Sequence, residues 1–166
     1  VGWADRDENR GKNCVTICSP IGNAVGTYTK VFTCNPMNEH DYFDVGNELI
    51  LVDLGELTIC PFICYDVRFP ELWRLAAVEG VDVFTVSSSW PLKRISHWSA
   101  LLKARAIENQ ATVIASNRVG KDAIAHWGGE FTVHFTYGRS YTARIRDANG
   151  GIVSDNRPVT SNGVEK

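Results

Sequence analysis

The apolar and polar positions of the chain follow two rhythms. In the first third, short runs of β-branched and aromatic residues alternate with turn chemistry. Val1–Lys12 reads as a strand end followed by the polar loop Asp5–Gly11. Asn13–Ser19 and Val25–Phe32 read as two strands of a hairpin around Pro20-Ile21-Gly22-Asn23. A loop from Cys34 to Gly46 comes next, then strands Leu49–Asp53 and Leu57–Cys64 around Leu54-Gly55. At Pro70 the rhythm changes. Leu72, Leu75 and Ala76 recur at helical spacing, Pro70 suits a first helical turn, and Gly80 suits the cap at its end. Val81–Ser87 is a nearly continuous apolar run, the pattern of a strand buried on both faces. Ser96 suits the N-cap of a second helix, whose stripe is Trp98, Leu101, Leu102, Arg105, Ala106 and Asn109. An arginine on that stripe needs a carboxylate or carbonyl partner. Ala111–Ser116 reads as another buried strand and Phe131–Phe135 as a further one. Strand, helix, strand, helix, strand from Leu57 to Ser116 predicts an α/β layered fold. We expect one domain over residues 1–153 and a poorly ordered tail, Ser154–Lys166, where periodicity is lost.

Composition narrows the function classes. With 44% hydrophobic and 22% charged residues the chain is ordinary for a soluble globular protein. A formal net charge of -2 offers no basic surface for nucleic acid or an anionic membrane. No apolar run approaches the roughly 18 residues of a membrane span, and the start is not a basic-then-apolar signal. Five cysteines (Cys14, Cys18, Cys34, Cys60, Cys64) is an odd number. We expect a cytoplasmic protein with reduced thiols. The chain opens on Val1, not Met, so a processed chain and a fragment are both open.

The candidate chemistry centres on Cys64. It stands where an apolar strand ends and a helix is about to begin, a common position for a nucleophile, since the strand fixes the side chain and the turn exposes it. Its bland alternative is a small buried hydrophobe. Polar neighbours Tyr65, Asp66 and Arg68 favour function. Lys30 lies in an otherwise apolar strand, where an ammonium could stabilise an oxyanion; its alternative is a half-exposed strand face. Glu39, in the intervening loop, could serve acid–base chemistry or be a solvated loop charge. Cys14-x3-Cys18 with Cys60-x3-Cys64 could frame a zinc site, but the gaps are wider than a knuckle's and the cysteines lie within apolar strands. His97, His126 and His134 flank aromatic residues, which favours packing roles.

Five blocks together resemble the nitrilase superfamily of carbon–nitrogen hydrolases, nearest its ω-amidase and aliphatic-amidase branches. They are Tyr28-Thr29-Lys30; Asn38-Glu39-His40 with Gly46; Ile63 to Glu71; His97-Trp98 with Ala104 to Gln110; and Asn117 to Gly120. The resemblance covers roughly residues 22–129. It implies a four-layer α-β-β-α sandwich, incomplete at the N-terminus, and a Glu-Lys-Cys set working without metal or organic cofactor. In that picture Cys64 attacks an amide carbon, and Lys30 with a backbone N–H near Tyr65 stabilises the oxyanion. Ammonia leaves, and water hydrolyses the thioester. Glu39 matches a second glutamate that supports Lys30 and the substrate. Tyr65, Asp66, Arg68, Arg105 and Glu108 would support the site, the arginines and Glu108 as an ion-pair scaffold. The first catalytic glutamate, the general base, would lie ahead of Val1. Phe32-Thr33-Cys34 stands where the family has His-Leu-Phe, Thr29 replaces a usual Arg or Asp, and the motifs after Gly129 fade.

Three readings follow. The first is a cysteine amidase acting on a small aliphatic amide, with little turnover expected from these 166 residues alone. The second is a silent scaffold of the same fold, and the third a metal module. A homo-oligomer is also expected, on the premise that apolar faces of Val81–Val86 and Ala111–Ala115 are exposed.

Overall fold

The computed structural model describes residues 2–6, 10–136 and 140–144. The expected tail Ser154–Lys166 and residues 7–9 of the polar loop lie outside them. The chain divides into two compact units, Val1–Ser87 and Ser88–Lys166.

The first unit holds two sheets. In one, β2 (Gly11–Cys18) is central, with β1 (Gly2–Arg6) antiparallel on one side. On the other lies β3 (Ala24–Thr29), also antiparallel, the register slipping at Ile17/Cys18. A short parallel strand, β4 (Phe43–Asp44), adjoins the first residues of β2. The presumed loop between Cys34 and Gly46 is therefore partly regular. It carries a 3-10 turn at Asn35–Met37 and the one-turn helix α1 (Glu39–Tyr42). In the second sheet β5 (Val52–Asp53) pairs antiparallel with β6 (Thr58–Ile63), which pairs parallel with β7 (Val83–Ser88). Of the expected strand Leu49–Asp53, only the last two residues pair.

Helix α2 (Pro70–Val78) links β6 to β7. Its buried side is Trp73 and Ala76, while Leu75 is exposed, so the expected leucine face is not the packed one. Trp73 meets Phe62 of β6 at 4.6 Å and Phe84 of β7 at 4.7 Å between ring centres. Tyr28 of β3 meets Phe62 edge-on at 5.7 Å. This aromatic cluster joins the two sheets and the helix, and such contacts add about 0.5–1.5 kcal/mol per pair beyond area burial. Gly80 ends the helix at φ +88, as a C-terminal glycine should. β7 alternates buried and half-buried positions, which corrects the expectation of a strand buried on both faces.

In the second unit α3 (Ile95–Asn109) begins two residues earlier than expected. Its N-cap is Arg94, with no side-chain cap bond, so Ser96 lies within the first turn. Trp98, Leu102, Arg105, Ala106 and Asn109 are buried, as the stripe predicts, and Gln110 closes the helix in the left-handed region. β8 (Thr112–Asn117) pairs antiparallel with β11 (Glu130–His134), and β11 with β12 (Ser140–Arg144). β9 (Val119–Lys121) and β10 (His126–Gly128) form a small hairpin. Asn117 fixes Trp90, accepting its backbone N–H at 2.6 Å and donating to its carbonyl at 3.0 Å. β11 buries Glu130, Thr132 and His134 and exposes Phe131, as does the chain just beyond it at Phe135, so its buried face is the polar one. His97 and His126 are exposed, so a packing role holds only for His134. Val81, Phe84, Val86, Ala111, Val113 and Ala115 are buried, which removes the premise of exposed apolar strands. Among the described residues no helix is long and apolar enough to cross a membrane.

Candidate active site

Lys30 follows directly on β3 and is 1% exposed, which overturns the reading of a half-exposed strand lysine. Its backbone is held at both ends. Lys30 N–H donates to Asn13 O at 2.9 Å, and Lys30 O accepts from Gly46 N–H at 2.8 Å. Gly46 is required there because a Cβ would stand 2.2 Å from the Thr29 carbonyl oxygen. A buried ammonium must be paired, and Lys30 Nζ is paired with Glu39 Oε2. Glu39, the first residue of α1, is largely shielded, with 17% of its side chain exposed. Its Oε1 accepts from Asn13 Nδ2 at 3.2 Å, and its Oε2 also accepts from Cys34 N–H at 2.6 Å. Glu39 is therefore no solvated loop charge. It fixes the ammonium of Lys30 while Asn13 and the Cys34 N–H hold it in turn.

Cys64 opens a five-residue 3-10 turn, Cys64–Arg68, between β6 and α2. Its φ of 46 lies in the left-handed region, a strained setting for a side chain with a Cβ. Sharp strand-to-helix turns of this kind lift a nucleophile out of the sheet. The turn is closed by Asp66, whose side chain is buried. Asp66 Oδ2 accepts from Ile63 N–H and from the Tyr28 hydroxyl, both at 3.0 Å, and Oδ1 accepts from Phe32 N–H at 3.0 Å. Burial pushes the Asp66 carboxyl up to about 6, although these donors and Lys30 pull the other way. Burial and Asp66 together push the Tyr28 phenol far up, so it stays a donor. One carboxylate thus ties the Cys64 turn to the segment that leaves Lys30.

The thiol of Cys34 reports on the same neighbourhood. Burial raises it, the Cys64 sulfur raises it further, Lys30 lowers it, and Glu39 raises it. Lys30, Glu39, Cys34, Cys64 and Asp66 therefore share one locality in the first unit. Around it, Phe32 stacks on Phe69 at 3.6 Å, Tyr65 meets Phe69 at 5.5 Å, and Arg68 lies 5.6 Å over the Tyr65 ring. Phe32, which replaces a family histidine, is thus a packing group here.

Arg105 and Glu108 lie in the second unit. Arg105 is buried and pairs with Glu108 at 2.5 Å one turn along α3. The sequence reading expected such a partner without naming it. It did not single out Asn13, nor Cys34 as a neighbour of Cys64. An asparagine at a strand centre and a cysteine four residues after the lysine were the only signals. Among the described residues, no three His, Cys, Asp or Glu side chains gather in a metal-holding group.

The carbon–nitrogen hydrolase family model matches residues 1–164. The chain belongs to the carbon–nitrogen hydrolase family. The match extends beyond the residues 22–129 covered by the motifs. It is 36% identical over 127 residues to 2-oxoglutaramate amidase of Bacillus subtilis, covering 76% of this chain and 49% of that protein. It is 39% identical over 113 residues to omega-amidase YafV of Escherichia coli strain K12, covering 68% and 43%. Among solved structures, a mutant of the amidase from Nesterenkonia sp. AN1 superposes with a TM-score of 0.76 at 25% identity, covering 82% of this chain and 53% of that one. That structure shows covalent addition of the acetamide moiety of fluoroacetamide at the active site cysteine. The fold is α/β, of the nitrilase-superfamily type. The chain spans about half the length of the curated relatives it matches.

Proposed function

We propose that this carbon–nitrogen hydrolase chain carries the nucleophilic half of an amidase site acting on a small aliphatic amide. The substrate class is an ω-amide of a dicarboxylate, of the 2-oxoglutaramate kind. The observation that carries the reading is the shielded Lys30–Glu39 pair beside the strained turn of Cys64. The Cys64 thiolate attacks the amide carbon, and Lys30 offers its ammonium to the developing oxyanion. The tetrahedral intermediate collapses, the C–N bond breaks, and ammonia departs with a proton. Water then adds to the thioester, giving the carboxylic acid and restoring the thiol. Glu39 orients Lys30. Its oxygens are already engaged by three donors, so the proton of Cys64 goes to another base, a role the family resemblance gives to a different glutamate. The reaction so written uses no metal or organic cofactor. We place the protein in the cytoplasm as a homo-oligomer, in line with five cysteines that are all thiols and with the superfamily resemblance.

A second reading, a silent member of the same fold, is favoured by Phe32, whose ring is committed to Phe69 where the family has a histidine. Haloacetamide labelling against pH, mapped by peptide mass spectrometry on the full protein, separates the two. The amidase reading expects Cys64 to label well below the unperturbed thiol range of about 8.5. It also expects release of ammonia from a dicarboxylate monoamide, lost in Cys64→Ala. Labelling of Cys64 only at alkaline pH, with no ammonia released by the full protein, would sink it.

A further inference from the structure

The chemistry above leaves Cys34 without a task, yet the segment that carries it is bound to the turn that carries Cys64. Two contacts join the two segments, and a third fixes Cys34 beside Lys30. Asp66 binds Phe32 N–H with one oxygen and Ile63 N–H with the other, each at 3.0 Å. The chain approaching Cys34 and the residue preceding Cys64 are therefore pinned by a single carboxylate. The ring of the same Phe32 stacks on Phe69 at 3.6 Å, so the far end of the Cys64 turn is held as well. Glu39 Oε2 holds Cys34 N–H at 2.6 Å while it pairs Lys30. Both cysteines are half-buried thiols. After burial, Cys64 is the strongest influence on the Cys34 thiol, ahead of Lys30 and Glu39.

We propose that Cys34 and Cys64 form an oxidative modification site, in which a hydroperoxide oxidises Cys64 and Cys34 captures the product as an intrachain disulfide. The Cys64 thiolate attacks the peroxide oxygen and the O–O bond breaks. Cys64 becomes a sulfenic acid, and an alcohol (or water, from hydrogen peroxide) leaves. The Cys34 sulfur then attacks the sulfenic sulfur, and the S–O bond breaks. The hydroxide departs as water with the Cys34 proton. In total two thiols lose two electrons and the peroxide gains them. Charge orders the steps. While Cys64 is a thiolate it keeps Cys34 protonated and quiet. Oxidation removes that negative charge, so Lys30 lowers the Cys34 thiol against only burial and Glu39, which still raise it. The disulfide would protect Cys64 from the irreversible sulfinic and sulfonic stages, and a dithiol would release it. Formation of the bond needs only the two sulfurs; that it switches off an amidase rests on the reading of Cys64 as nucleophile.

The test treats the full protein with hydrogen peroxide and digests it without reduction for mass spectrometry. The expected product is a Cys34–Cys64 linked peptide pair, two hydrogens lighter than its reduced parts and cleaved by dithiothreitol. In Cys34→Ser, checked for folding by circular dichroism, Cys64 should instead accumulate as sulfinic acid that dithiothreitol does not reverse. No linked pair in the wild type overturns the proposal, and that measurement stands even if the variant fails to fold. Equal recovery of the Cys64 thiol in wild type and a folded Cys34→Ser also overturns it. The linked peptide is read without any turnover. A link in a protein that releases no ammonia leaves the disulfide standing and removes only the amidase reading.

Discussion

The residue that decides most at this site is Lys30, because its charge is buried and its partner is fixed from several sides. An ion pair of this kind is hard to remove from one end. Lys30→Met leaves the shielded Glu39 carboxylate without its cation, and breaking a buried pair costs about 3–5 kcal/mol. Glu39→Gln in the same chain removes the orphaned charge. The double variant should therefore recover much of the loss, and a double-mutant cycle from urea unfolding should give a coupling of about 1–3 kcal/mol. Additive losses would show that the two side chains do not depend on one another. Asp66 is a second decisive residue. Its two oxygens serve three donors, so Asp66→Asn turns an amide N–H₂ toward at least one of them. A loss of about 1–3 kcal/mol in stability is expected, with slower Cys64 labelling as the turn loosens. Unchanged labelling would mean that the turn is held by other contacts.

At the scale of elements, conformation at single backbone positions sets where strands and helices stop. Gly80 ends α2 with a positive φ and with nothing within 4 Å of an added Cβ. Gly80→Ala therefore isolates the conformational cost, about 1 kcal/mol in thermal or urea unfolding, with Cys64 labelling unchanged. Gly46→Ala is a different case. Its Cβ would meet the Thr29 carbonyl oxygen at 2.2 Å, so the chain must shift next to Lys30. Loss of stability above 1 kcal/mol, together with altered Cys64 reactivity, is the expected result. A silent Gly46→Ala would show that the loop after α1 moves freely past β3. These elements also show where the sequence was legible. The stripe of α3 was readable because five of its six positions are buried at helical spacing. The stripe of α2 misled because Trp73, not Leu75, faces Phe62 and Phe84; bulk decided over aliphatic character. β11 was legible as a strand, but which of its faces is buried was not, and the buried one is polar.

Across the molecule, the two units carry opposing pH responses. His134, in the second unit, is pushed down to about 4 by burial and then by Lys103. Between about 6.5 and 4 its unfolded form binds a proton that the folded form refuses, so stability is lost as pH falls through that window. Asp66 is raised, so its folded form keeps a proton that the unfolded form has released. Its contribution therefore grows as pH falls from about 6 toward 4. The two effects oppose each other over most of the same range. His134→Gln should isolate one of them. The melting temperature of the variant, relative to wild type, should rise as pH is lowered from 6.5 to 4.5, corresponding to no more than about 3 kcal/mol. A difference independent of pH would place the histidine in contact with water.

The sequence by itself determined the α/β alternation, the cysteine at a strand end and the family motifs, because period, turn residues and motif spacing are local properties. It also gave Arg105 a needed partner, since a charge on a buried stripe requires one anywhere. Only the tertiary structure decided that Lys30 is buried, that Glu39 and Asn13 enclose it, and that Asp66 ties two distant segments with one carboxylate. Those facts depend on which side chains meet across sheets and turns. A lysine in an apolar strand and a glutamate in a loop read the same in sequence whether they face water or each other.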